Sequence, residues 1–148
     1  MASVDRSTAT LRMLGNDLDP DEITRLLGTA PTGAARRGEQ ILSSLKRIHI
    51  AQTGRWALRV RELSPGNLDA QIREILARTT GDLAIWRGLS RRFECRVVCG
   101  LFLRTGNEGA AIAPDLLAML GERRLHLDLD LYAANSPEDP DARDGTRH

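Results

Sequence analysis

"FECRVVCGLFLR", residues 93–104, is the stretch on which the fold turns. Its alternation sends Phe93, Cys95, Val97, Cys99, Leu101 and Leu103 to one side. Glu94, Arg96 and Arg104 go to the other, among Val98, Gly100 and Phe102. Such a strand predicts a sheet that is covered on one face and partly wet on the other. Just upstream, "SPGNLDAQIREILART" opens on cap and turn residues. Its Leu68, Ile72, Ile75, Leu76 and Thr79 share a helical face. Gly81 stops that helix, and "DLAIWRGL" starts a short second one. Downstream, "APDLLAMLG" sets a proline at a helix start and Gly121 at its end, and "LHLDLDLY" (125–132) alternates strictly.

The first half is punctuated as clearly. "TATLRML" reads as a strand, and "DPDEITRLLG" as a helix with Asp19 as cap, Pro20 at the first position and Glu22 closing a capping box. Ile23, Leu26 and Leu27 form its apolar stripe, and Gly28 suits the left-handed residue that follows. Residues 29–46, rich in Gly, Ala and Arg, are expected to form a long loop. "RIHIAQTGRWALRVREL" reads as a hairpin with "RWALRV" as its stronger arm. Both ends of the chain show strand, turn, Pro-acidic helix start, "LLG" or "MLG", then an extended segment, which is a weak internal repeat. The elements therefore run strand–helix–strand–strand–helix–strand–helix–strand. The expected class is α+β: a two-layer sandwich of a mostly antiparallel sheet with helices on one face, in ferredoxin-like order with an extra helix and strand.

Bulk properties bound the rest. The 148 residues suit about one domain, expected over residues 8–133, and a chain of this length buries roughly 68–70% of its unfolded surface without needing a staple. Residues 1–7 and the tail 134–148, with "NSPEDPDARDGTRH", are expected to be disordered because they offer too little burial to offset their ordering entropy. Net charge is +1, and two Trp, two Phe and one Tyr are the only aromatics. No basic excess or stacking platform marks a nucleic-acid binder. No apolar run approaches the ~20 residues of a membrane span, and the N-terminus lacks the features of a secretory signal. On a strand, Cys95 and Cys99 lie about 13 Å apart, too far for a disulfide. Free buried thiols suit a reducing compartment, so a cytoplasmic location is expected.

"GNDLDPDEITRLLGTAPTGAARRGE", "GRWALRV" and the closing "LHLDLDLY" together resemble the bacterial family called domain of unknown function 4279. Its pattern opens Leu-Asp-Pro-x-x-Ile-Thr-x-x-Leu-Gly-x-x-Pro, with a Gly seven residues after that Pro, a Trp-bearing strand, and an acidic-aromatic last strand. Leu18, Asp19, Pro20, Ile23, Thr24, Leu27, Gly28, Pro31, Gly38, Trp56, Asp130 and Tyr132 occupy those positions. The family tends to place an aromatic or Lys before the position of Gly38, where this chain has Arg36-Arg37. The resemblance implies a shared fold and no catalytic residue.

Candidate chemistry is sparse. Asp17, Asp19 and Asp21 have the first, third and fifth places of a Ca²⁺ loop, but Glu22 and Gly28 stand where Gly and Glu are required. The run is instead the acidic start of a helix. Gly28 and Gly33 have phosphate-loop spacing, yet Ala34 and Ala35 replace the Lys and Ser/Thr. Cys95 and Cys99 belong to the apolar face and read as core, as do Trp56 and Trp86, while His49 reads as the outer side of a strand. Arg36 and Arg37, joined by Arg55, are candidates to clamp a carboxylate or phosphate. His126, Asp128, Asp130 and Tyr132 share one face at about 6.7 Å intervals. That row is either a hard-cation site or the wet side of a half-buried strand. No catalytic, cofactor or metal set is complete.

The leading expectation is a non-catalytic protein-binding module, with an immunity-protein-like role as its specific form, working through Arg36, Arg37, Arg55, His126, Asp128 and Asp130 and using no cofactor. A metal-dependent hydrolase on Asp128 and Asp130 and a small-anion sensor on Arg36, Arg37 and Arg55 are the alternatives. Neither nucleic acid nor membrane is expected as a partner, and the oligomeric state is left open.

Overall fold

A computed structural model of the chain describes residues 2–134. Eleven elements follow one another: β1 (Arg6–Gly15), α1 (Pro20–Leu27), β2 (Gly33–Ala35), β3 (Gln40–Leu42), β4 (Ile48–Ile50), β5 (Gly54–Arg59), α2 (Leu68–Arg78), α3 (Leu83–Arg92), β6 (Glu94–Phe102), α4 (Pro114–Glu122) and β7 (His126–Tyr132). Five strands form one open sheet in the order β2-β5-β1-β6-β7, and β3 pairs only with β4. Every neighbour in the large sheet is antiparallel except β6 and β7. That parallel pair is joined across the sheet by α4, the crossover a parallel pair needs. The α+β class, the mostly antiparallel sheet and the layer of four helices are as the sequence pattern predicts.

Strand alternation divides the sheet into two unlike faces. Ala9, Leu11 and Met13 of β1, Trp56 and Leu58 of β5, and Cys95, Val97, Cys99 and Leu101 of β6 are buried in one cluster. Ile23 and Leu27 of α1, Ile72 and Ile75 of α2, Trp86 and Leu89 of α3, and Leu116 and Leu120 of α4 fill the same cluster. The two indoles are buried with their N–H groups satisfied. Trp56 Nε1 donates to Thr24 Oγ1 at 3.1 Å, and Trp86 Nε1 donates to the Thr80 carbonyl at 2.7 Å. Several residues that carry the family resemblance are thereby accounted for. Asp19 caps α1, Thr24 receives Trp56, and Gly28 ends the helix at φ +78°, where a Cβ would be strained.

Five local expectations are corrected. Residues 2–7 belong to the fold: Val4 is buried, its N–H donates to Gly109 O at 3.0 Å, and Gly66 N–H donates to Val4 O at 2.9 Å. The expectation for the tail falls on residues 135–148, outside the described residues. The stretch 29–46 is not one loop, since β2 joins the sheet edge and β3 pairs with β4. Ile48–Ile50 therefore makes its hairpin with residues 40–42, while "RWALR" pairs with β1 and β2. Glu22 does not serve a capping box but accepts from Arg92 at 2.8 and 3.2 Å. Finally, α4 runs through Gly121. Arg124 is the left-handed residue at φ +58°, with Arg124 N–H donating to Gly121 O and Leu125 N–H to Leu120 O, both at 3.1 Å. These two bonds form a Schellman closure in which an arginine holds the place usually given to glycine.

Polar ties join the layers. Ser7, fully buried, donates to Gln71 Oε1 at 2.6 Å, and Gln71 Nε2 donates to the carbonyls of Ser7 and Arg61, both at 2.9 Å. Arg73 of α2 grips Asp115 at the start of α4 through two 2.8 Å bonds and Asp69 through one of 2.6 Å. The guanidinium holds the Asp115 carboxyl down to about 2.

Two outcomes follow. Gln71→Ala removes the acceptor of the buried Ser7 hydroxyl and the side-chain donor to the Ser7 and Arg61 carbonyls, and lowers the unfolding free energy by about 1–3 kcal/mol in urea titrations. Because the folded pKa of Asp115 lies below its ordinary value, its contribution is full above pH 4 and is lost as pH falls toward 2. Asp115→Asn therefore flattens the acid limb of a stability-versus-pH curve relative to wild type.

Candidate functional site

The face of the sheet turned away from the helices carries the chemistry. Register fixes its layout. On β1 and β5, Thr10 lies opposite Arg59, Arg12 opposite Ala57 and Leu14 opposite Arg55. On β6 and β7, Arg96 lies beside His126, Val98 beside Asp128, Gly100 beside Asp130 and Phe102 beside Tyr132. The rows continue across β1 and β6, where Arg6 lies opposite Phe102 and Arg12 opposite Arg96.

Arg12, Arg55 and Arg59 thus surround the small side chain of Ala57. Diagonal neighbours across strands sit about 7–8 Å apart, within reach of long side chains. All three arginines are exposed, and among the described residues none of them has an ion pair. The sequence signal was the alternation in "RWALR": Trp56 and Leu58 point inward, so Arg55, Ala57 and Arg59 point outward. Placing Arg12 among them required knowing that β1 and β5 are neighbours.

The opposite end of the face is acidic and aromatic. Asp128 accepts from Arg96 Nη1 at 2.8 Å, and Arg96 also lies 3.9 Å from Glu94. Asp130 and Tyr132 line an open hollow of about 260 Å³ with Thr8, Thr10, Val98 and Arg59. Phe102 and Tyr132 stack with centroids 4.6 Å apart and planes 6° from parallel, and the Arg6 guanidinium lies 3.8 Å over the Phe102 ring. Arg6 also donates to Glu62 at 3.0 Å.

The row His126, Asp128, Asp130 is therefore split between uses. His126 lines a different cleft, Asp128 is held by Arg96, and Asp130 faces the hollow. Among the described residues no three His, Cys, Asp or Glu side chains come together to hold a metal. Of the arginines proposed as a clamp, one is already held by carboxylates. Arg36 donates to Asp19 at 2.6 Å and Asp21 at 3.0 Å beside the start of α1, whereas Arg55 stands on the open face and Arg37 is exposed with no ion pair among the described residues. Cys95 and Cys99 are buried, and burial pushes their thiols up to about 11 and about 12, so neither supplies a thiolate near neutral pH.

The family model described as Domain of unknown function (DUF4279) matches residues 5–134, and the chain belongs to that family. No curated protein matches the chain. No solved structure matches it.

Proposed function

We propose that the protein is a non-catalytic binding module that docks a protein partner on the open face of its sheet. The observation that carries this reading is the unpaired trio Arg12, Arg55 and Arg59, placed beside a strip that ends in Asp130 and the Phe102–Tyr132 stack. A face with both signs of charge selects a partner by complementarity and steers its approach. Asp128, Asp130 and Glu94 on the same face disfavour a nucleic-acid backbone, which presents negative charge throughout.

Exposed apolar residues lie elsewhere on the surface: Leu45 at the β3–β4 turn is 75% exposed, with Leu42, Ile48 and Ile50 in the same hairpin, and Leu131 and Leu129 of the edge strand β7 stand on the helix side of the sheet. Exposed apolar side chains of this kind favour a protein partner over a small ligand. The immunity-protein form of the reading asks for an acidic docking surface. Here it would draw on Asp130 alone among the paired acids of β7, so the partner is expected to offer carboxylates to the arginine end as well. A ferredoxin-like frame belongs to the same proposal, supported by the order β2-β5-β1-β6 with antiparallel neighbours. A cytoplasmic setting is likewise proposed, on the two buried free thiols.

Native affinity capture with wild type is expected to recover a stoichiometric partner at low ionic strength and to release it as salt rises. The variant Arg12→Glu, Arg55→Glu, Arg59→Glu should weaken that complex by more than about tenfold. A complex that survives the triple reversal unchanged, or the absence of any stoichiometric partner, would contradict the reading.

A further inference from the structure

A second basic constellation lies at the end of the sheet where β7 begins, apart from Arg12, Arg55 and Arg59. A cleft of about 350 Å³ between the second half of α3 and the start of β7 is lined by Arg87, Ser90, Arg91, Arg124 and His126. No carboxylate lines it, and among the described residues none of the four basic side chains has an ion pair. Arg36, Arg73, Arg92 and Arg96, by contrast, are each held by carboxylates. Arg91, in the last turn of α3, complements the negative end of that helix. The helix dipole does not explain why Arg124 and His126 arrive from another part of the chain.

Arg124 adds an independent observation. It occupies the left-handed position of the closure after α4, at φ +58°, where glycine is free of strain and any residue with a Cβ is not. A guanidinium is thus held at the mouth of the cleft by a backbone conformation that works against it. Strain of this sort is found where a side chain is needed in one place.

We propose that this cleft binds a phosphate-bearing small molecule. Guanidinium groups match phosphate oxygens in paired, charge-assisted hydrogen bonds, and the imidazole supplies a further N–H donor. The volume lies at the lower end for a small-molecule site. No aromatic side chain lines it to stack a base, so the class that fits is a sugar phosphate or a similarly polar phosphate ester, not a nucleotide. This inference is independent of the docking reading, since none of Arg12, Arg55, Arg59 and Asp130 lines the cleft.

The test is calorimetric titration and thermal unfolding of the full chain with inorganic phosphate and with glucose 6-phosphate, against sodium chloride at equal ionic strength. Wild type should show saturable binding and, at a hundredfold excess over Kd, a midpoint raised by roughly 5–10 °C. Arg87→Ala with Arg91→Ala should abolish the response, while Arg12→Ala with Arg59→Ala on the open face should retain it. Arg124→Gly is the most telling variant. Its unliganded midpoint should rise by about 2–4 °C as the strain is relieved, while its phosphate affinity falls at least about tenfold. The proposal is overturned if neither phosphate acts beyond matched chloride, if Arg124→Gly and the Arg87, Arg91 variant bind as wild type does, or if only the open-face variant loses the response.

Discussion

The structure depends on β1 lying in the middle of the sheet. It is the first strand of the chain, yet it pairs with β5 on one side and β6 on the other, so removing it would leave two unconnected strand pairs. Its alternation sets the facing of both neighbours, because a slip of one residue would exchange the faces. With Ala9, Leu11 and Met13 turned to the helices, Thr8, Thr10 and Arg12 must face away. The open face is thus a consequence of the same register that builds the core.

What this leaves for function is an economy of pairing. Arginines near helix ends are mostly neutralised: Arg36 by Asp19 and Asp21, Arg73 by Asp69 and Asp115, Arg92 by Glu22. Exposed pairs of this kind contribute modestly, about 0–1 kcal/mol each, but they fix which charges remain available. Among the described arginines without an ion pair, three stand together around Ala57 on the sheet and three in the cleft beside α3. In a chain whose net charge is only +1, this segregation is invisible to composition.

The parts legible in the sequence were those with local causes. β6 and β7 announced themselves by period-2 alternation, and α1 by Asp19, Pro20 and Gly28, whose roles are set by neighbours a few residues away. The extent of β1 was hidden because a core position is held by Ser7, whose hydroxyl is satisfied by Asn67 and Gln71, sixty and sixty-four residues later. The β3–β4 pairing was hidden because Ile48–Ile50 alternates equally well against either neighbour, and a three-residue strand carries little register information. Of the candidate site residues, the β7 row was placed on one face, since alternation suffices for that, whereas Arg55 was grouped only with Arg36 and Arg37. Arg12, Arg59, Arg87 and Arg124 could not be grouped without strand order and helix placement, and Arg36 could not be known to be occupied by Asp19 and Asp21.

The account rests on one face of the sheet being bare of helices and on its Arg12, Arg55 and Arg59 having no ion pair among the described residues. Arginine-specific labelling with phenylglyoxal, read residue by residue by mass spectrometry, measures this directly, because a guanidinium held by carboxylates is shielded and has its pKa raised, as Arg73 does. Arg12, Arg55 and Arg59 should be modified several times faster than Arg73 and Arg92. Equal or slower labelling of the three would mean that the face is covered or its charges are already spoken for, and would contradict the account.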